Sequence, residues 1–340
     1  MSTHRLLPTG FSLLTTALLL SACGGGGGGG SPEPQPTRQP LAITSVNYQT
    51  VAAQSVGAGS YMMDAGAGSV LGVDAQALPQ PLWVAQHEAL GLAARFIRAQ
   101  GTSVVLGATT TVVQACSQGG SIEVTINDAN SSQALDAGDS MSLKATACRE
   151  QNVTLDGAMD YTMKAVSGTF GSTVYSATVA VKLSNLRVSS STGTVSGQGE
   201  FQMTISATGS SSTSVAMSIP SFVTSGTASG SSFQSTITGF SLNVSTAPNG
   251  VGYRSTTTFG GTLNSTALES RDITVSTPVA LVQDSTRGYP SSGQVLAKGA
   301  TGSQVRVTAQ GDGKALVELD ANGDNVFETS TQKNWADLKG

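Results

Sequence analysis

Charge is what this chain has least of. Asp, Glu, Lys and Arg make up 11% of its 340 residues, less than half of the roughly 25% usual in a soluble domain. No basic cluster exists and the net charge is −4, so nucleic acid finds no electrostatic footing and is excluded as a partner. Histidine is almost missing: His4 and His87 are the only two, which excludes a histidine-rich metal centre. The string His87-Glu88-Ala89-Leu90-Gly91 lacks the second histidine of a zinc protease. No serine sits in a Gly-x-Ser-x-Gly elbow. The glycine run at residues 24–30 has no following lysine and is no phosphate loop. These gaps point away from catalysis and toward a binding or structural role.

A long apolar run is missing as well. The longest, Phe11 to Leu20, is about half of the roughly 20 residues a spanning helix needs. With His4 and Arg5 before it, the run reads as a signal-peptide core over residues 1–22. It closes on Leu20-Ser21-Ala22-Cys23. These four residues resemble the lipobox of bacterial lipoproteins, with an ordinary secretory signal as the competing reading. The resemblance implies cleavage before Cys23, a lipid on its sulfur and acylation of the new N-terminus. Residues 24–40, Gly24 to Gly30 followed by Ser31-Pro32-Glu33-Pro34-Gln35-Pro36, cannot build a core and read as a tether. Such a chain spans roughly 20–25 Å on average. Two or more acyl chains would make the anchoring stable. Gly24 after the cysteine lacks the aspartate that often retains members of that family in the inner membrane. The resemblance therefore implies a lipid-anchored protein of the outer membrane, on its periplasmic or surface face.

With Cys23 assigned to lipid, Cys116 and Cys148 are the only other cysteines. An even pair in an oxidising compartment reads as a disulfide; two buried free thiols are the other reading.

Beyond the tether, hydropathy divides the chain. Residues 41–101 carry the only helical signals. Ile43, Val46, Tyr48, Val51, Ala52, Val56 and Met62 recur at roughly helical spacing, and a second stripe, Val84, His87, Leu90, Ala94 and Ile97, predicts a helix from Pro81 to Gln100. From Thr102 the period becomes two. Ile122, Val124 and Ile126 alternate with polar residues, as do Met141, Leu143, Ala145 and Ala147, then Leu155, Met159, Tyr161 and Met163, then Ala177, Val179, Val181 and Leu183. Such alternation gives antiparallel strands with one wet face. Short Gly- and Ser-rich links predict a meander. The fold class is therefore mainly β: a long antiparallel meander, curled or barrel-like, with one or two short N-terminal helices. Residues 102–289 form the main β domain and 290–340 a C-terminal hairpin unit closed by Trp335 and Leu338. Two internal echoes stand out. Val153–Met163 lines up with Gly193–Met203, and Val181–Leu186 with Met217–Phe222 and Ser235–Phe240.

One chemical motif is present. Asp320, Asn322, Asp324 and Glu328 occupy positions one, three, five and nine of a calcium-loop pattern. Asn325 stands where an EF-hand has glycine and Thr331 where it has the bidentate glutamate. Calcium is the candidate ligand, and an Asp/Asn/Gly hairpin turn is the bland alternative. Asp128, Asn130, Asp136 and Asp139 form a second, looser acidic loop.

The mature sequence resembles uncharacterised proteobacterial lipoproteins in style, with strands, a cysteine pair and an Asp-rich terminal hairpin. The expectation is a non-catalytic, outer-membrane-anchored module that binds an envelope protein or polysaccharide, or has a structural role. A polysaccharide hydrolase using paired carboxylates and a membrane-inserted β-barrel are the alternatives.

Overall fold

The computed structural model describes residues 38–63, 109–132, 136–150, 152–169, 172–191, 193–209, 212–228, 230–250 and 252–338. The signal segment, Cys23, most of the tether and the Pro81–Gln100 helix with His87 lie outside the described residues. Among the described residues no helix is long and apolar enough to cross a membrane.

Fourteen strands follow one another in strict sequence order as a single antiparallel meander. They are β1 (Thr110–Ala115), β2 (Ser121–Asn127), β3 (Ser140–Glu150), β4 (Val153–Gly168), β5 (Val174–Ser190), β6 (Gly193–Thr208) and β7 (Thr213–Ala228). The run continues with β8 (Ser231–Asn249), β9 (Gly252–Ser265), β10 (Arg271–Asp284), β11 (Ser292–Lys298), β12 (Gln304–Ala309), β13 (Lys314–Asp320) and β14 (Thr329–Asn334). Helix α1 (Tyr48–Met63) precedes them and a single turn, α2 (Trp335–Leu338), ends the fold. The expected mainly β meander is what the chain forms. It does not close: β1 and β14 are the two ends of the sheet order and are not paired with each other, so the barrel-like form is set aside for an open sheet.

Open edges invite pairing with other chains. Here both edges are short, six residues each, against 14 to 19 in β4–β10. Strands β11–β14 extend the same sheet beyond residue 290.

Alternation decides which face is buried. Ile122, Val124, Leu143, Leu155, Met159, Val181, Leu183, Ile205, Met217 and Leu242 point inward into one core. The opposite face carries few charges and is rich in hydroxyls. These satisfy one another across strands: Thr111 with Thr125 at 2.9 Å, Ser176 with Ser206, Thr178 with Thr204 and Ser196 with Ser225, each at 3.0 Å.

A line of β-bulges crosses the long strands near their middle. Register shifts fall at Ala145/Cys148 in β3, Leu183/Leu186 in β5, Glu200/Gln202 between β6 and β7, and Thr238/Ser241 in β8. A bulge adds one residue to one strand, so that strand bends. Successive bulges in register bend the whole sheet along a seam and let its inner face curl around its own core. Glycines make room on the facing strands. A Cβ on Gly157 would stand 2.3 Å from the Asn185 carbonyl oxygen, and one on Gly261 would stand 2.6 Å from Phe240 Cα.

The N-terminal segment completes the core. Leu41 and Ile43 are buried but extended. Leu41 N–H donates to Asp272 C=O at 2.8 Å, and its own carbonyl accepts from Ala300 N–H at 2.7 Å. The helical stripe expected from Ile43 therefore starts only at Tyr48, and Val46 is 91% exposed. The Asn47 side chain ties the preceding turn, accepting from Thr44 N–H and donating to Ala42 C=O. Buried Val51, Ala52 and Val56 face the core. Gly59 lets the helix lie against Phe259: a Cβ there would be 2.3 Å from the ring. Phe259 in turn stacks on Phe240.

Candidate functional site

The C-terminal acidic loop connects β13 to β14. Asp320 closes β13 and is buried, whereas Asp324 and Glu328 are exposed. One carboxylate oxygen from each lies within 4.8 Å of the others, so three of the four residues picked out by sequence do converge. Asn322 joins them through its amide, donating to Asp324 Oδ2 at 3.1 Å while its Oδ1 accepts from Asp324 N–H at 2.9 Å.

Hydrogen bonds within the loop account for this gathering. Asp320 Oδ1 accepts from Gly323 N–H at 2.7 Å, and its Oδ2 accepts from Asn325 N–H and from the Gln304 side-chain amide, each at 2.8 Å. Asp324 Oδ1 accepts from Val326 N–H, and Glu328 Oε2 accepts from Ala321 N–H. Asn325 takes the left-handed conformation, φ 68°, that the glycine of an EF-hand loop would supply. Thr331, in place of the twelfth-position glutamate, is held in β14 opposite Val317. The arrangement is that of a tightly tied hairpin turn. It packs on the turn Ala300–Gly302, where a Cβ on Gly323 would come 2.9 Å from Gly302. Phe327 anchors its far side under the Arg306 guanidinium, 3.9 Å from the ring centroid, and Arg306 is itself paired with Glu318 at 2.8 Å.

Burial alone would push the Asp320 carboxyl up. The Gln304 amide and the N–H groups of Gly323, Asn325 and Asp324 outweigh it and hold the group below its ordinary value of 3.8. A carboxylate with a depressed folded-state pKa stabilises the fold above the ordinary value, and that contribution is lost as pH falls through the lower folded value. Urea midpoints followed from pH 7 into the acid range are therefore expected to show an acid limb. Asp320→Asn should flatten that limb and lower stability at pH 7 by about 1–3 kcal/mol, because an amide with one acceptor oxygen cannot serve all of these donors.

The second acidic loop precedes β3. Asp139 is buried and accepts from Ala129 N–H at 3.0 Å and Asp136 N–H at 2.6 Å. Asp128 accepts from Ser132 N–H, and Asn130 and the Ser132 hydroxyl both donate to Asp136. The Ser132 hydroxyl first, and the Asn130 amide after it, lower the Asp136 pKa. Here too the acidic groups cap backbone N–H groups within a turn.

The cysteine pair is a disulfide. Cys116 and Cys148 are buried and bonded, with Cα atoms 5.5 Å apart. Alternation had placed Ala147 on the buried face of β3. The bulge reverses parity there, so Ala147 is exposed with φ 44° and Cys148 turns inward instead.

One further feature is not legible in the sequence. On the wet face, Asp160 of β4 pairs in register with Lys182 of β5, and Lys182 with Glu200 of β6. The next row places Thr162, Ala180, Gln202 and Ser218 side by side. Together with Lys164 and Pro220 they line an open groove of about 400 Å³ across β4–β7. These charged residues lie 22 and 18 positions apart in the chain, so only strand register brings them together. No local motif could have revealed them.

No protein-family model matches this chain, and no curated protein or solved structure matches it.

Proposed function

We propose that the chain is an outer-membrane-anchored lipoprotein whose open sheet serves as a binding or structural module of the cell envelope, without catalysis. The carrying observation is the buried Cys116–Cys148 disulfide, a bond that persists in oxidising compartments and so accords with an export signal cleaved before Cys23. Lipid on Cys23 would hold the sheet near a bilayer through the Gly/Pro-rich tether, leaving its wet face free for an envelope polysaccharide or protein. The test is the mature N-terminus. Mass spectrometry is expected to find an acylated Cys23 as first residue. Cys23→Ala is expected to move the protein from the membrane fraction to the soluble one. A bare thiol on membrane-free protein would overturn the anchoring.

A further inference from the structure

The groove across β4–β7 holds four charged side chains in a chain where charge is scarce, and most of their bonding capacity is unspent. Asp160 accepts from the Ser142 hydroxyl at 2.7 Å. Lys164, Lys182 and Glu200 make no ion pair or side-chain hydrogen bond among the described residues, where only Arg254–Asp284 and Arg306–Glu318 are ion-paired. Neighbouring strands lie about 4.8 Å apart. Asp160 and Glu200, two strands apart, are therefore separated by roughly 9–10 Å between Cα atoms, with Lys182 between them.

We propose that this groove binds a short stretch of a neutral polysaccharide. The proposal deepens the envelope-binding reading and rests on it for the polymer's presence. Two carboxylates and two ammonium groups leave the groove without net charge. An anionic polymer meets Asp160 and Glu200, and a polycation meets Lys164 and Lys182. A neutral polyol suits both kinds of group, because each hydroxyl donates to a carboxylate and accepts from an ammonium or an amide. Thr162, Gln202 and Ser218 add hydroxyl and amide partners, while Ala180 and Pro220 add apolar lining that the C–H face of a sugar ring can contact. The groove is open rather than a deep cleft, so a long chain can cross it without threading an end.

The test uses the mature, disulfide-bonded protein and neutral trisaccharide probes (chitotriose, cellotriose, maltotriose and mannotriose), with trigalacturonate as the acidic comparison. Titration followed by calorimetry or NMR is expected to detect at least one neutral probe, and trigalacturonate is expected to bind more weakly. Lys182→Ala and Glu200→Ala should each weaken that binding by about tenfold or more, through loss of a charge-assisted hydrogen bond. Both side chains are exposed, so the thermal midpoint should stay unchanged. The proposal is overturned if no neutral probe binds at roughly 10 mM, a concentration that would reveal even millimolar affinity. It is equally overturned if trigalacturonate binds best, or if both variants retain full affinity. A failed acylation of Cys23 would overturn the anchoring and leave this measurement intact, so the two failures are separable.

Discussion

Gly157→Ala is expected to cost about 3–4 kcal/mol of stability, far more than a surface glycine should. Gly157 lies on β4 opposite the bulge of β5. Its φ is +102°, and an added Cβ would meet the Asn185 carbonyl oxygen at 2.3 Å and Leu186 Cα at 2.9 Å. Those atoms are backbone and cannot swing aside as a side chain would. The methyl group must therefore push β4 away from β5 at the bend, against the buried Leu155, Met159, Leu183 and Leu186. Gly250→Ala is the matched comparison. Its φ is +62° and nothing stands within 4 Å of a Cβ there, so only the left-handed backbone penalises it, by about 1 kcal/mol. Urea denaturation of both variants reads the difference. Equal losses would mean that the seam has no special tightness.

That seam was written in the sequence in a form that strand periodicity alone does not decode. Leu183-x-x-Leu186, Ile219-x-x-Phe222 and Ile237-x-x-Phe240 place buried residues three apart instead of the two that a regular strand demands. Each is a strand that inserts an extra residue and so keeps both neighbours on the inner face. The echo among Val181–Leu186, Met217–Phe222 and Ser235–Phe240 is the repeat of that device in β5, β7 and β8. The parallel echo between Val153–Met163 and Gly193–Met203 falls on β4 and β6 and aligns Gly157 with Gly197; in β6 the positive φ that meets a bulge lies two residues further on, at Gly199. Strand existence and facing were legible because alternation is local. Ala147 was misplaced because one bulge reverses everything after it.

The site residues divide the same way. Asp320, Asn322, Asp324 and Glu328 form a contiguous motif, so their convergence was readable, although the role of Gln304 was not. Gln304 lies 16 residues away and reaches Asp320 only because β12 pairs with β13. The Asp160–Lys182–Glu200 row depends on two successive registers and on the bend beneath it. No property of the individual strands specifies that row. A charge-poor chain makes such a row more conspicuous once folded, since several neighbouring positions are hydroxyl paired with hydroxyl.

Removing the disulfide is the second change expected to have a large effect. The bond closes a loop with a sequence separation of 32, for which chain entropy predicts a loss of about 3–4 kcal/mol in the Cys116→Ala/Cys148→Ala double variant. Its position says where that loss is felt. Cys116 begins the turn joining edge strand β1 to β2, and Cys148 sits at the bulge of β3. The turn lies directly on that bulge: Gln118 N–H donates to Arg149 C=O at 3.1 Å, Arg149 N–H donates to Gly119 C=O at 2.9 Å, and Ser117 donates twice to Glu150 at 2.8 Å. Strand β1 has six residues and, among the described residues, β2 as its only partner within the sheet, so without the covalent clip it depends on one ladder and these turn contacts. The double variant should therefore show a lower urea midpoint. Its amide exchange should quicken most in β1 and β2 and least in β5–β7, whose ladders run along both sides of long strands. Uniformly faster exchange would place the clip's contribution in the whole sheet rather than at its edge, and an unchanged midpoint would show that the turn contacts alone hold β1.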